Sequence, residues 1–441
     1  MTENIIDGQI VINSDQVLEL TGDIFIQYGA GIEFHVASDG SSCGFVQHSS
    51  GVLTGPEFDV TIVADGNYSF INGDRYTIFQ TDGTFLLDFG EFDSEVRVTG
   101  QDSGFGFYIQ QSNNNIDFVA LNNGDGTGIA DVDMGSTSQN GGYIYYNTTT
   151  EIGGISGGDL EYCWVFNIQS VHGTDANDTF IIIGAEYFAG YGRGGTDSMV
   201  GNSGGNYFDG GDGNDLIFGG AGNDALLGGD GNDLVIGGTG ADTLSGGSGY
   251  DTLGYNGSSG AVYVFLGGNA ATGGDATGDT ISGFENVIGS AFDDRLFGSA
   301  QVNLLDGGAG SDIMLGNNGN DTLRGREGRD ILYGGNQNDR FVYFDISDTG
   351  LLFADRDRIQ DFGNGEDVID LSALDADTNT GGDQAFIYVG STFTGSAGQL
   401  RSWELGGLTF IEGDVNGDGM ADFRIELLGT GFGIDATDFV L

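Results

Sequence analysis

GRGGTDSMV GNSGGNYFD GGDGNDLIF GGAGNDALL GGDGNDLVI GGTGADTLS GGSGYDTLG, from Gly192 to Gly254, restarts every nine residues. Glycine opens each unit, a second glycine stands at position four in most, an acid at position six and an apolar residue at position eight. Glycines such as Gly210, Gly211 and Gly213 permit a tight turn with positive φ and let backbone carbonyls approach an ion. The short strand that follows points Ile217, Leu226, Val235, Leu244 and Leu253 inward. Two nonapeptides make one coil of a parallel β-helix, so acid-slot residues eighteen apart stack: Asp197, Asp215, Asp233 and Asp251 on one side, Asp224 and Asp242 on the other. Stacked carboxylates repel unless a cation lies between them. Carboxylates and carbonyls, without histidine or cysteine, form an oxygen-only site that suits calcium better than zinc or copper. A linker of the same composition would not keep an apolar residue at every ninth position.

A second block starts at Gly289: GSAFDDRLF, GSAQVNLLD, GGAGSDIML, GNNGNDTLR, GREGRDILY, GGNQNDRFV. Its acid slots are Asp294, Asn303, Asp312, Asp321, Asp330 and Asp339, and its inward slots Leu296, Leu305, Met314, Leu323, Leu332 and Phe341. The glycine candidates for carbonyl donation are Gly210, Gly211, Gly213, Gly220, Gly222, Gly229, Gly231, Gly238, Gly240, Gly247 and Gly249, then Gly308, Gly310, Gly319 and Gly328. Asn317 and Arg326 replace the second glycine. Asn206 and Asn303 stand in acid slots, where ions are expected to be weak or absent. Arg324, Arg326 and Arg329 are placed to offset neighbouring carboxylates. Between the blocks, residues 255–288 break the period. Upstream, HGTDANDTF from His172 already follows the grammar, with Asp178 in the acid slot.

The unit G-G-x-G-x-D-x-U-x resembles the calcium-binding nonapeptide of RTX (haemolysin-type) proteins, and Ile281 to Gly289 looks like the spacer that leads into their next repeat block. Asp357 to Leu374, DRIQDFGNGEDVIDLSAL, resembles the C-terminal region of serralysin-type proteins. The likeness continues through Ala385 to Trp403 and Gly413 to Gly429. It implies that Asp357, Asp361, Asp367 and Asp370 are calcium ligands closing the roll. The serralysin catalytic domain with its zinc helix is missing, so protease activity does not carry over. The terminus Asp438-Phe439-Val440-Leu441 looks like the uncleaved signal of type I secretion, which implies that this export machinery is a partner.

Composition agrees with export and with calcium. The 441 residues hold 66 acids against 12 basic residues, all arginine, for a net charge of -54. Nucleic acid and anionic membranes are repelled by such a chain. Cations bound to the native state alone would stabilise it by mass action. Glycine at 85 residues with a single proline excludes collagen and proline-rich disorder. Cys43 and Cys163 are too few for a disulfide framework. The N-terminus has no basic, apolar leader, and no apolar run approaches the ~20 residues of a membrane helix.

The fold expected is all-β: an N-terminal β domain over 1–171, a β-helix by preference and a sandwich as second choice, then a parallel β-roll in two blocks (172–254 and 289–350) around a β spacer (255–288), and a C-terminal β region (351–441). Alternation in Phe34/Val36, Phe58/Val60/Ile62, Phe105/Phe107/Ile109 and Tyr143/Tyr145 supports strands in the first domain. G-x-S-x-G occurs at Gly40, Gly154 and Gly201, matches that glycine abundance produces by chance and that no strand-to-helix context supports. His35, His48 and His172 form no H-E-x-x-H. No catalytic residue is assigned. Asn122 to Asp133 and DVNGDGMAD, with Asp414, Asn416, Asp418 and Asp422, gather further oxygen ligands, although Ile425 stands where the calcium loop needs glutamate. The function expected is a secreted calcium-binding structural or adhesive surface component with possible self-assembly. The alternative is a polysaccharide-acting enzyme or glycan-binding adhesin using residues 1–171, with Tyr143, Tyr145, Tyr146 and Trp164 as the aromatic candidates.

Overall fold

The computed structural model describes residues 170–363 and 367–441 in full and, within residues 1–169, the backbone of the strands. It divides into two compact units, Met1–Gly195 and Thr196–Leu441.

In the first unit the chain visits three parallel ladders in rotation. One ladder holds Asn4–Ile6, Ile24–Ile26, Val52–Thr54 and Thr84–Phe85. The next holds Gln9–Ile12, Ala30–Val36, Phe58–Ala64 and Val96–Thr99. The third holds Val17–Leu20, Phe45–His48 and Arg75–Thr81. Cyclic order with parallel pairing is the connectivity of a three-sided β-helix, the preferred expectation, and not of a sandwich. Residues 106–166 turn antiparallel: Gly106–Ser112 pairs with both Asn115–Leu121 and Leu160–Phe166. Parallel pairing persists within the same span, Asp131–Asp133 against Ser170–His172 and Gly142–Asn147 against Thr179–Ile183.

The second unit is a two-sided parallel roll. Ile217 pairs with Val235, Val235 with Leu253, Leu253 with Val287, and the register continues through Leu305, Leu323, Phe341, Ile369 and Phe439. On the opposite side Phe208, Leu226, Leu244 and Ile281 form one column, and Val264, Leu296, Met314, Leu332, Ile359 and Leu427 another. Apart from Phe439 at 7%, every one of these side chains is at most 2% exposed. Position eight is therefore the core. Burying such a side chain is worth about 1.5–3 kcal/mol, and no coil can bury its own without a neighbour, which is why the repeats come in blocks.

The spacer breaks the sequence period but not the roll. Thr280–Ser282 stacks on Thr243–Ser248, and Asn286–Ile288 on Thr252–Gly254. The surplus residues form a hairpin, Tyr263–Phe265 against Ala270–Thr272, inserted into one side. At the far end an antiparallel sheet, Gln399–Leu405, Leu408–Asp414 and Phe423–Leu428, joins the roll where Arg358 pairs with Glu426. That sheet buries two glutamates. Glu412, with no exposed surface, meets Arg401 at 2.6 Å and also Arg424, while Glu426, 1% exposed, meets Arg356 at 2.7 Å and also Arg358. The other arginines expected to offset acids divide: Arg326 reaches Asp306 at 2.9 Å and Arg324 the same carboxylate at 3.7 Å, while Arg329 lies over the Phe353 ring at 4.6 Å.

Candidate metal centre

The turns between strands carry the acid slots. At Gly211 and Gly213 φ is 99° and 141°, a left-handed backbone that glycine adopts at little cost. The requirement belongs to the turn and not to the residue, since Asn317 and Arg326 at position two and Gln337 at position four hold φ of 81°, 72° and 84°. Position one has a different reason. A Cβ on Gly210 would strike Oδ2 of Asp215 and the carbonyl oxygen of Gly228 one coil on. The glycine thus keeps open the space in which a carboxylate oxygen and a backbone carbonyl converge.

Each acid-slot amide donates to the acid-slot carboxylate of the next coil. Asp197 N–H reaches Oδ1 of Asp215 at 2.8 Å, Asp215 reaches Asp233 at 2.8 Å, and Asp233 reaches Asp251 at 2.9 Å. On the other side Asn206 reaches Asp224 at 2.7 Å and Asp224 reaches Asp242 at 2.9 Å. The second block repeats this: Asp294 to Asp312, Asn303 to Asp321 and Asp312 to Asp330 at 2.8 Å, and Asp321 to Asp339 at 2.9 Å. The predicted stacks exist, tied through the backbone.

One oxygen of each pair is thereby used. The other, Oδ2 of Asp215, Asp224, Asp233, Asp242, Asp251, Asp312, Asp321, Asp330 and Asp339, is buried with no hydrogen-bond partner. These residues are at most 2% exposed. Burial pushes Asp312 up to about 8 and Asp224 and Asp339 to about 7, against the lowering effect of the amide each accepts; neighbouring carboxylates raise them further. An unpaired buried carboxylate is expensive unless a cation or proton meets it. Among the described residues no three His, Cys, Asp or Glu side chains gather at one point. A cation here would draw on one carboxylate per turn and on backbone carbonyls, an oxygen-only donor set that fits calcium.

Other expected ligands occupy different settings. Asp357 and Asp367 continue the ladder outside the repeat, taking the amides of Asp330 at 2.8 Å and Asp339 at 2.9 Å. Asp361 spends both oxygens on the amides of Gly334 and Gly335, at 2.9 and 3.0 Å. Asp370 pairs with Arg340 at 2.7 Å and Ser372. In the 414–422 loop, Asp414 accepts from Gly417 and Gly419 at 2.7 and 2.8 Å, Asn416 Oδ1 accepts from the Asp418 amide, and Asp422 accepts from Val415 and Asn416. Asp418 accepts from Met420. Asp178 and Asp294 lie buried in acid slots beside Thr174 and Ser290. His172 stacks on Tyr191 at 4.2 Å. The side chains of Cys43, Cys163, His35, His48, Tyr143, Tyr145, Tyr146 and Trp164 lie outside the described residues, as does the Asn122–Asp133 stretch apart from the backbone of its last three residues, a strand over Asp131–Asp133.

Three features escaped the nine-residue frame. Asp279 receives the Asp242 amide at 2.9 Å and Glu285 that of Asp251 at 3.0 Å, so the spacer supplies its own acid slots. Position five is a rung as well: Asn214 accepts from the amide of Asn232, and Asn232 from that of Tyr250, at 2.8 and 2.9 Å. The recurrence of asparagine before the acid, in GDGND and GAGND, is the signal that could have shown it.

No curated protein sequence matches the chain. The solution structure of the AlgE6R3 subunit of the Azotobacter vinelandii mannuronan C5-epimerase matches at 29% identity and a TM-score of 0.27, over 35% of this chain and 80% of that one. The AlgE6R2 subunit of the same enzyme matches at 25% and 0.27, over 35% and 91%. Extracellular lipase LipA from Serratia marcescens matches at 16% and 0.24, over 62% of this chain and 41% of that one. Among the described residues no helix is long and apolar enough to cross a membrane. The family model of the peptidase M10 serralysin C terminus matches residues 125–441, which takes in the repeats, everything after them and residues 125–171 of the expected N-terminal domain. Over that span the chain belongs to the serralysin C-terminal family, with its RTX repeats.

Proposed function

We propose that this is a secreted calcium-binding protein without catalytic activity, a structural or adhesive component of a cell surface or matrix whose folding and assembly are switched by calcium. The observation that carries the reading is the series of buried acid-slot aspartates whose Oδ2 has no donor. Asp215, Asp224, Asp233, Asp242 and Asp251 would hold ions in the first block, and Asp312, Asp321, Asp330 and Asp339 in the second, each with glycine carbonyls. A bound ion supplies the positive charge that lets these carboxylates stay ionised while buried.

Extracellular calcium modules bind at about 10⁻⁴ to 10⁻³ M, so the roll would stay open in calcium-poor cytosol and close outside. That suits passage of an unfolded chain through a type I exporter reading Asp438 to Leu441. Once folded, the same residues belong to the roll: Phe439 pairs with Ile369, and Asp438 caps the turn from Asp435 at 2.7 Å. The domain division expected from the sequence assigns the assembly role to residues 1–171.

The test is a calcium titration of the full-length protein, followed by circular dichroism and light scattering together. Folding and particle growth rising in parallel support the whole reading. A protein that folds but stays monomeric removes assembly from it, and a chain indifferent to calcium removes the metal.

A further inference from the structure

The acid slots fall into two kinds, divided by the backbone at position two. Where that residue is left-handed, as at Gly211, Gly308, Asn317 and Arg326 with φ of 99°, 91°, 81° and 72°, the carboxylate four residues on keeps an unpartnered Oδ2. Where it is not, its amide turns inward and closes the slot. Ser290 N–H donates to Oδ2 of Asp294 at 2.5 Å and its hydroxyl to Oδ1 at 2.8 Å. Ser299 N–H donates to Oδ1 of Asn303 at 2.6 Å, and Thr174 N–H to Oδ2 of Asp178 at 2.6 Å. Asp279 is closed differently, by the Tyr255 hydroxyl at 2.9 Å.

We infer that, among the nonapeptide turns, calcium binds only at those whose second residue is left-handed, and that the closed turns at Asp279, Asp294 and Asn303 form an ion-free seam between two separate groups of ions. The inference rests on the calcium reading above and sharpens it. An ion on Oδ2 of Asp294 would have to displace the Ser290 amide, while Oδ1 already takes both the Ser290 hydroxyl and the amide of Val262, the latter at 2.7 Å. At Asp312 nothing has to leave Oδ2. The hydroxyl and amide of one serine thus do for Asp294 what the cation does for Asp312. Asn303 carries the closure further, because its Nδ2 donates to the Glu285 carbonyl at 2.6 Å and so occupies an oxygen. The seam falls where the spacer enters the roll, and there the coils are joined by protein donors alone.

The experiment measures bound calcium per full-length chain by equilibrium dialysis against calcium with atomic emission detection. Asp312→Asn is expected to lose at least one ion and Asp294→Asn none. Ser290→Gly combined with Phe292→Gly, which gives the turn the glycines of an open one, is expected to gain about one. This gain keeps the test decisive if Asp312→Asn fails to fold. Equal losses from Asp294→Asn and Asp312→Asn overturn the inference while leaving calcium binding intact, as does a double glycine variant with unchanged stoichiometry. A wild-type chain that takes up no calcium overturns the calcium reading and this inference with it.

Discussion

The backbone amide of Asp312 donates to Oδ1 of Asp330 at 2.8 Å, and Oδ2 of both aspartates is left buried without a donor. Every coil in the open part of the roll repeats this division of one carboxylate into a structural oxygen and an available one.

The pH dependence of the calcium-free protein follows. Burial raises Asp312 to about 8 and Asp224 to about 7, from 3.8. Between those values the folded state holds protons that the unfolded chain has released, so stability is fully present at low pH and is lost as pH rises through about 7 to 8. In chelator, the melting temperature should fall from pH 5 to pH 8. With calcium in excess the trend should flatten or invert, because proton and cation compete for the same oxygen. A calcium-free melting temperature that rises over this range would remove the desolvation argument.

Leu323 lies at the centre of its column, between Leu305 and Phe341, with no exposed surface. Leu323→Ala should cost about 2–5 kcal/mol, as a cavity that a regular stack cannot collapse to fill. Thermal or denaturant unfolding in saturating calcium measures it.

Gly229 has φ of 117°, and a Cβ there would run into the carbonyl oxygen of Gly211. Gly229→Ala should therefore be destabilising and should weaken calcium binding in the first block. The opposite change at an exposed exception, Gln337→Gly, relieves a left-handed strain of roughly 1–2 kcal/mol, partly offset by glycine's greater freedom when unfolded. It should leave stability equal or higher. Paired melting curves of the two variants check the signs.

Glu412 has no exposed surface and serves both Arg401 and Arg424. Glu412→Ala removes the buried carboxylate that both arginines share and should cost about 3–5 kcal/mol. The loss should persist in saturating calcium, which separates this cluster from the metal turns.

Much of this architecture is legible in sequence because the roll is nearly one-dimensional. A nine-residue register fixes which residue turns inward, and Ile217, Leu244 and Met314 obey it. Asp279 and Glu285 were hidden because they stand 37 and 34 residues after the amides they receive, with an inserted hairpin between. The closure of Asp294 was hidden for another reason: Ser290 looks like a lapse from glycine, and only the direction of its amide shows that it replaces a ligand. At Asp361 and Asp414 residue type announced a ligand, and hydrogen bonding shows carboxylates already engaged with backbone amides.

The rungs between acid slots also give the roll a direction in time. Each coil's amide waits for a carboxylate that is encoded later in the chain, so a coil is finished only by its successor. Asp330 and Asp339 wait for Asp357 and Asp367, which lie beyond the last repeat. The turns of Asp330 and Asp339 therefore stay incomplete until the stretch beyond the last repeat has joined the fold. Closure would then run back from the C-terminal end, the segment beyond the last repeat acting as the template on which the earlier coils settle.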